Sequence, residues 1–272
     1  MSQTQIPLED TFADVVSKAM RGLVQTDAMV AQAAGVDIER VVALRTGHWS
    51  SSVAVAVSQV LGLNADALVA LGEGRSVPPH LRLEGMETFT TAFDDMLVNS
   101  YLAWDSHSRA AAAFDTGSDA GPMLDFIKQN HLTLKAVFLT HTHGDHVFEL
   151  DRLCSKTGAP AYVNILEPLE GAQPFEAGVQ WNIGALRITG ELTCGHSRGG
   201  TTYVIQGLER GVAVVGDALF ATSMGGAKVS YADALRTNRD VIFTLKDDTV
   251  LCPGHGPLTT VGWERRWNPF FA

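Results

Sequence analysis

The chain has 272 residues, 46% of them apolar and 18% charged, with a net charge of −10. That balance suits a globular fold of one large domain or two, and an acidic chain without a basic cluster is a poor partner for polyanions such as RNA. No stretch reaches the roughly 18 apolar residues of a membrane span, and Met1 to Asp10 lacks the basic and apolar regions of a secretory leader, so a cytoplasmic protein is expected.

From Thr11 to Leu71 the apolar residues recur at helical spacing: Phe12, Val15, Val16, Ala19 and Met20, then Met29, Val30 and Ala33, then Ile38, Val41, Val42 and Leu44, then Val53, Val57, Val60 and Leu61, then Leu68, Val69 and Leu71. Gly35, Gly47 and Gly62 punctuate the run. Gly72, Gly74, Pro78 and Pro79 then mark a linker, which places a helical domain at 1–80 and a second domain at 81–272.

Past the linker, alternation and β-branched runs take over. Strands are predicted at Thr88 to Phe93, Val98 to Trp104, Ala110 to Phe114, Leu134 to Leu139 and Ala161 to Ile165, with helices at Gly121 to Asn130 and Val147 to Ser155. The second half repeats the logic with strands at Ile183 to Leu192, Thr201 to Ile205, Val212 to Val215 and Val250 to Cys252, and a helix at Tyr231 to Lys246. Periodicity alone gives a mixed α/β domain.

Thr140-His141-Thr142-His143-Gly144-Asp145-His146 packs three imidazoles and a carboxylate into six positions directly after an apolar strand. Such a cluster reads as a metal site. Residues two apart on an extended segment point the same way, so His141 and His143 can converge on one ion. Asp145 and His146, on the turn that opens the next helix, can face a second. More donors appear downstream, each on a glycine-lined turn at a strand end: His196 after Leu186 to Leu192, Asp217 after Val212 to Val215, and His255 in Cys252-Pro253-Gly254-His255-Gly256-Pro257. Strand-end loops are where a rigid scaffold commonly presents reactive groups. Asp115, in Phe114-Asp115-Thr116-Gly117, reads as a strand-end turn near the site, outside the chemistry.

In that order, His141, His143, Asp145, His146, His196, Asp217 and His255 resemble the full ligand set of the metallo-β-lactamase-fold hydrolases. The likeness covers about residues 85–272. It leans to the short glyoxalase II-like, or hydroxyacylglutathione hydrolase-like, branch through Gly216-Asp217-Ala218-Leu219-Phe220, the segment Asp248 to Thr260, Glu264 and Asn268-Pro269-Phe270. The resemblance implies an αββα sandwich with the ligand loops along one edge. It also implies one metal held by His141, His143 and His196, another by Asp145, His146 and His255, and Asp217 bridging them.

A shared anion offsets the repulsion between two dications, and two metals lower the pKa of a bridging water enough to supply hydroxide for attack on a carbonyl. Asp145 is the candidate catalytic residue, orienting that hydroxide. Nitrogen and carboxylate donors suit zinc first, with iron or manganese as alternatives. The expected reaction is hydrolysis of a small thioester, or of an ester or lactone.

Departures from the pattern bear on the substrate. Short relatives carry Gly-Arg-Thr-Asp after the bridging Asp, where this chain has Gly225-Gly226-Ala227-Lys228. Arg198 and Lys228 are the candidate anchors for a substrate carboxylate, and the missing Arg and acid leave glutathione specificity open. A mononuclear iron persulfide dioxygenase, using His141, His196 and Asp217, is the first alternative reading. Three cysteines, Cys154, Cys194 and Cys252, are too few and too irregular for a disulfide framework, and fit a reducing compartment.

Residues 25–71 also resemble the five-helix DNA-binding domain of phage-repressor type, with Gly35-Val36 as the turn and Asp37 to Leu44 as recognition helix. That second resemblance implies a metabolite-responsive regulator. Charge argues against it: residues 1–80 hold five Lys or Arg against eight Asp or Glu, −3 of the total −10, and Asp37 and Glu39 stand at the groove-facing start. The expected role is instead a helical module for homo-oligomerisation or for covering the active site.

Overall fold

The computed structural model describes residues 6–272. Residues 1–5, part of the amino-terminal stretch read as leaderless, lie outside the described residues. Five helices come first: α1 (Phe12–Gly22), α2 (Asp27–Ala34), α3 (Ile38–Arg45), α4 (Ser51–Leu61) and α5 (Ala65–Gly72). The predicted periodicity locates all five. A reciprocal capping box of Thr11 and Asp14 starts α1, and Gly35 and Gly62, both at φ 66°, end α2 and α4 in the left-handed conformation that glycine adopts without strain.

Two six-stranded sheets follow. The first runs β1 (Met86–Phe93), β2 (Met96–Trp104), β3 (Ala110–Phe114), β4 (Thr133–Phe138), β5 (Ala161–Asn164) and β6 (Ala172–Phe175), in spatial order. The second comprises β7 (Gln180–Ile183), β8 (Leu186–Leu192), β9 (Thr201–Gln206), β10 (Val212–Gly216), β11 (Val250–Pro253) and β12 (Thr259–Thr260), also neighbour by neighbour. Their inner faces meet through Tyr101, Phe114, Phe138, Ile188, Tyr203, Val214 and Cys252. Helices α6 (Gly121–Gln129) and α8 (Leu150–Thr157) cover the outer face of the first sheet, and α10 (Val261–Trp267) covers that of the second. This is the expected αββα sandwich.

Three predicted elements differ from expectation, and three more carry no local signal. The strand predicted at Ile183 to Leu192 is a hairpin, because Gly184 at φ 59° turns the chain between β7 and β8. The helix predicted at Val147 to Ser155 is split into the single turn α7 (Gly144–Val147) and α8. The helix predicted over Tyr231 to Lys246 ends as α9 (Tyr231–Asp240), and one 3-10 turn, Ile242–Thr244, follows. Elements β6, β12 and α10 carry no pattern long enough to predict; β6 contains Pro174, which an edge strand tolerates because one side needs no donor.

The five helices share a core with the sandwich: Val15, Val16, Ala19 and Leu68 cluster with Met224, Ala234 and Phe270. The junction is also polar. The nearly buried pair Lys18–Asp10 is joined by Ser223, whose hydroxyl donates to Asp10 at 2.6 Å, while Lys18 Nζ donates to the Met224 carbonyl at 2.7 Å. The backbone N–H of Asn64 donates to Pro269 at 2.7 Å. Among the described residues no helix is long and apolar enough to cross a membrane.

Candidate metal centre

All seven predicted donors meet at one edge of the sandwich. His141 and His143 follow β4, and Asp145 and His146 sit on α7; His196 follows β8, Asp217 follows β10, and His255 follows β11. The atoms of His141, His143, His196 and Asp217 lie within 4.8 Å of one another, as do those of Asp145, His146 and His255. His143 is half-buried and the other six are buried.

Asp217 touches both groups. Its Oδ2 is 3.3 Å from His196 Nε2 and 3.6 Å from His255 Nε2, and its Oδ1 is 3.3 Å from His146 Nε2. Asp145 Oδ2 lies 3.2 Å from His255 Nε2 and 3.3 Å from His146 Nε2. Within the first group, His143 Nδ1 is 2.9 Å from His141 Nε2 and 3.0 Å from His196 Nε2.

The far side of each ring is occupied. His255 Nδ1 donates to the Leu97 carbonyl at 2.7 Å and His196 Nδ1 to the Gly226 carbonyl at 2.9 Å. A carbonyl only accepts, so both Nδ1 atoms carry the proton and both Nε2 lone pairs face the cluster. His146 Nδ1 pairs with Asp115 at 2.8 Å, leaving its Nε2 inward as well. Buried His146 Nε2 and Asp217 Oδ1 have no hydrogen-bond partner. Orphaned inward atoms of this kind, in a set made of imidazole and carboxylate, fit a borderline divalent cation. His and Asp side chains are clustered here for metal binding.

Electrostatics agree. Burial opposes ionisation of Asp217, yet His146, His141 and His196 hold its carboxyl well below the usual range. Burial likewise opposes a charged His255, but without an ion Asp145 and Asp217 raise it to about 9, so a cation binding there would take the place of the Nε2 proton. His141 moves the other way, lowered by burial and by the neighbouring His146. Dense carboxylate balances the imidazoles, as a cation site requires.

Asp115 does more than the predicted turn. It holds φ 56° at the end of β3, and its carboxylate accepts from Thr140 N–H and Thr140 hydroxyl at 2.7 Å each, besides His146. It therefore orients a donor, the role that outer carboxylates play around metal-binding imidazoles. Glu167 was not singled out by any sequence pattern. Its carboxylate accepts from the Thr142 hydroxyl at 2.5 Å and from Gly199 N–H at 3.0 Å, tying the His141–His143 segment to the His196 loop. Asn99 and Tyr101 likewise brace the His255 loop, with Asn99 Nδ2 donating to Gly256 at 2.8 Å and Tyr101 hydroxyl to Pro253 at 2.6 Å.

Two glycines are set by close approach. A Cβ at Gly254 would stand 2.3 Å from Asp217 Oδ1, and one at Gly225 would stand 1.9 Å from the Asp217 carbonyl oxygen. The amino-terminal lead-in also reaches this edge: a Cβ at Gly256 would lie 3.2 Å from Glu9 N. Arg198 and Lys228 are exposed; His143 is lowered chiefly by burial, and the nearby Lys228 charge adds to that.

The pattern of the metallo-beta-lactamase superfamily matches residues 94–255, so the chain belongs to that superfamily. The helices α1 to α5 precede the matched span. Hydroxyacylglutathione hydrolase GloC of Haemophilus influenzae is 29% identical over 205 residues, 66% of this chain and 94% of that protein. The crystal structure of BLEG-1, a B3 metallo-beta-lactamase, matches with a TM-score of 0.61 at 27% identity, covering 68% of this chain and 100% of its own. ETHE1 from Myxococcus xanthus matches with a TM-score of 0.60 at 25% identity, covering 67% and 83%.

Proposed function

We propose that the chain is a dinuclear metal-dependent hydrolase that cleaves small thioesters, with esters and lactones as lesser substrates. The observation that carries this reading is the double donor set, with Asp217 within 3.6 Å of nitrogens in both groups. In the proposal His141, His143 and His196 hold one divalent ion, Asp145, His146 and His255 hold the other, and Asp217 is shared. Zinc suits the donors best, with iron and manganese as alternatives. A bound metal pair supplies acidified water and a Lewis acid for the carbonyl oxygen.

The chain's own residues do the rest. Asp145 offers a carboxylate oxygen beside both His146 and His255, where it can hold the attacking water in line and receive its proton. Burial of six of the seven donors restricts bulk water to the side of half-buried His143. Arg198 and Lys228 on the exposed rim anchor an anionic group of the substrate. The thioester assignment is supported by similarity to a hydroxyacylglutathione hydrolase. The helical segment is assigned to bracing the loop after Asp217, through Asp10, Lys18, Ser223 and Met224.

Elemental analysis of protein purified without added metal, with a panel of acyl thioesters and lactones, tests the reading. Two metals per chain and thioester turnover are expected. His143→Ala should lose both turnover and metal while keeping its circular dichroism. One iron per chain would favour a dioxygenase, and unchanged turnover in His143→Ala would refute the ligand assignment.

A further inference from the structure

Among residues 86–272, seven large apolar side chains are more than a third exposed: Met96, Leu97, Phe148, Ile165, Leu166, Val179 and Val229. All except Val179 lie on segments that carry, brace or adjoin the donor cluster. The Leu97 carbonyl accepts from His255, and Met96 stands beside it where β1 turns into β2. Phe148 lies two residues past His146, is 64% exposed, and meets the Phe93 ring edge-on at 5.8 Å. The Phe93 ring in turn is 3.6 Å from the Cβ position of Gly144, between donors His143 and Asp145. Ile165 and Leu166 immediately precede Glu167, whose carboxylate grips Thr142 between His141 and His143. Val229 N–H donates to the carbonyl of Gly195, next to His196, at 3.0 Å.

Scattered apolar side chains on a surface need no explanation, but several carried on the segments that surround one donor cluster do. A polar substrate body would leave these side chains in water, whereas an apolar chain entering the cluster would cover them. Charge sets the direction of such a chain. Exposed Lys228 and Arg198 stand on the side of His196, while exposed Asp94 and Asp95 lie between Phe93 and Met96 and would repel an anion there.

We infer that the rim formed by Met96, Leu97, Phe148, Ile165 and Leu166 seats the acyl chain of the substrate, making the preferred substrates thioesters of apolar acyl groups. The acyl chain runs toward Phe93 and Phe148, and the thiol carrier's anionic group lies toward Lys228. This inference rests on the thioesterase reading above.

The test uses hydrolysis-inert S-alkyl thioethers of N-acetylcysteamine, titrated calorimetrically into the metal-loaded full chain, alongside turnover of the matching acetyl to octanoyl thioesters. The S-octyl compound should bind at least about tenfold tighter than the S-ethyl compound, since each buried methylene contributes ~0.8 kcal/mol and the seat is open on one side. In Phe148→Ser and Leu166→Ser, both surface changes, that preference should fall below about threefold. Equal wild-type affinity for the two thioethers would overturn the inference, as would an unchanged preference in the variants. Sedimentation showing a wild-type dimer that the serine variants dissolve would also overturn it, by assigning the rim to a second copy. Octyl preference without turnover of any thioester would instead sink the proposed reaction while supporting the apolar seat.

Discussion

One methyl group at residue 254 should dismantle the centre. In Gly254→Ala the new carbon would fall 2.3 Å from Asp217 Oδ1 and 2.6 Å from His146 Cε1. Ordinary contact is about 3.5 Å, so one of these side chains must retreat by roughly 1 Å. Neither moves freely, because His146 is fully buried and tied to Asp115 at 2.8 Å. The loop cannot yield in their place: Gly254 N–H donates to Gly216 at 2.9 Å and its carbonyl accepts from Asn99 N–H at 2.7 Å. Overpacking of this kind costs about 1–3 kcal/mol, and a 1 Å displacement of a reacting group can cost about 100-fold in rate. Denaturant melts, elemental analysis and kcat/KM on the same preparation should therefore show modest destabilisation, metal content well below wild type and roughly 100-fold slower turnover. Wild-type metal content with wild-type turnover would refute the geometry on which the centre is built.

Asp115→Asn should lower metal affinity by about 10- to 100-fold, measured by competition with a chromophoric chelator, because a neutral amide replaces the carboxylate that orients His146. Lys18→Met leaves the Asp10 carboxylate buried with, among the described residues, Ser223 as its remaining side-chain donor, and urea denaturation should show a loss of about 3–5 kcal/mol; a loss below about 1 kcal/mol would mean the junction is not held by this pair. Glu264 is wholly buried, and burial raises its carboxyl from 4.5 to about 7 against the opposing hydrogen bonds from Thr259, Asn268 and Thr222. Because the folded value lies above the unfolded one, its contribution to stability is full below pH about 4.5 and declines as pH rises to about 7. By linkage that decline is at most about 3 kcal/mol. Glu264→Gln lacks this slope, so the stability of the variant relative to wild type should improve between pH 5 and 7.5; a constant difference would refute the raised value.

The donor set was legible in the sequence because each member follows an apolar or β-branched run, so His196, Asp217 and His255 could be placed at strand ends before any contact was known. The residues that hold the donors were not legible. Glu167 is an isolated acid before a proline, and Asn99 and Tyr101 lie within β2, with nothing local to indicate that they grip the His255 loop more than 150 positions away. Asp115 was visible only as a turn, since its partnership with His146 depends on β3 and β4 being parallel neighbours. Helices α1 to α5 announce themselves by period, whereas β6 and β12 are too short to carry one. The way Asp10 and Lys18 fasten that helical segment to Ser223 and Met224 is a long-range pairing that no local pattern encodes.

His141, His143, Asp145 and His146 follow a strand of the first sheet, while His196, Asp217 and His255 follow strands of the second. A cation bound there would act as a rivet between two leaves that otherwise adhere chiefly through their greasy inner faces. Binding energy then becomes folding energy, growing logarithmically with free ion above the dissociation constant. Heat resistance of this protein would accordingly track the trace-element supply of its surroundings, and starvation for that element would shorten its lifetime as well as silence it.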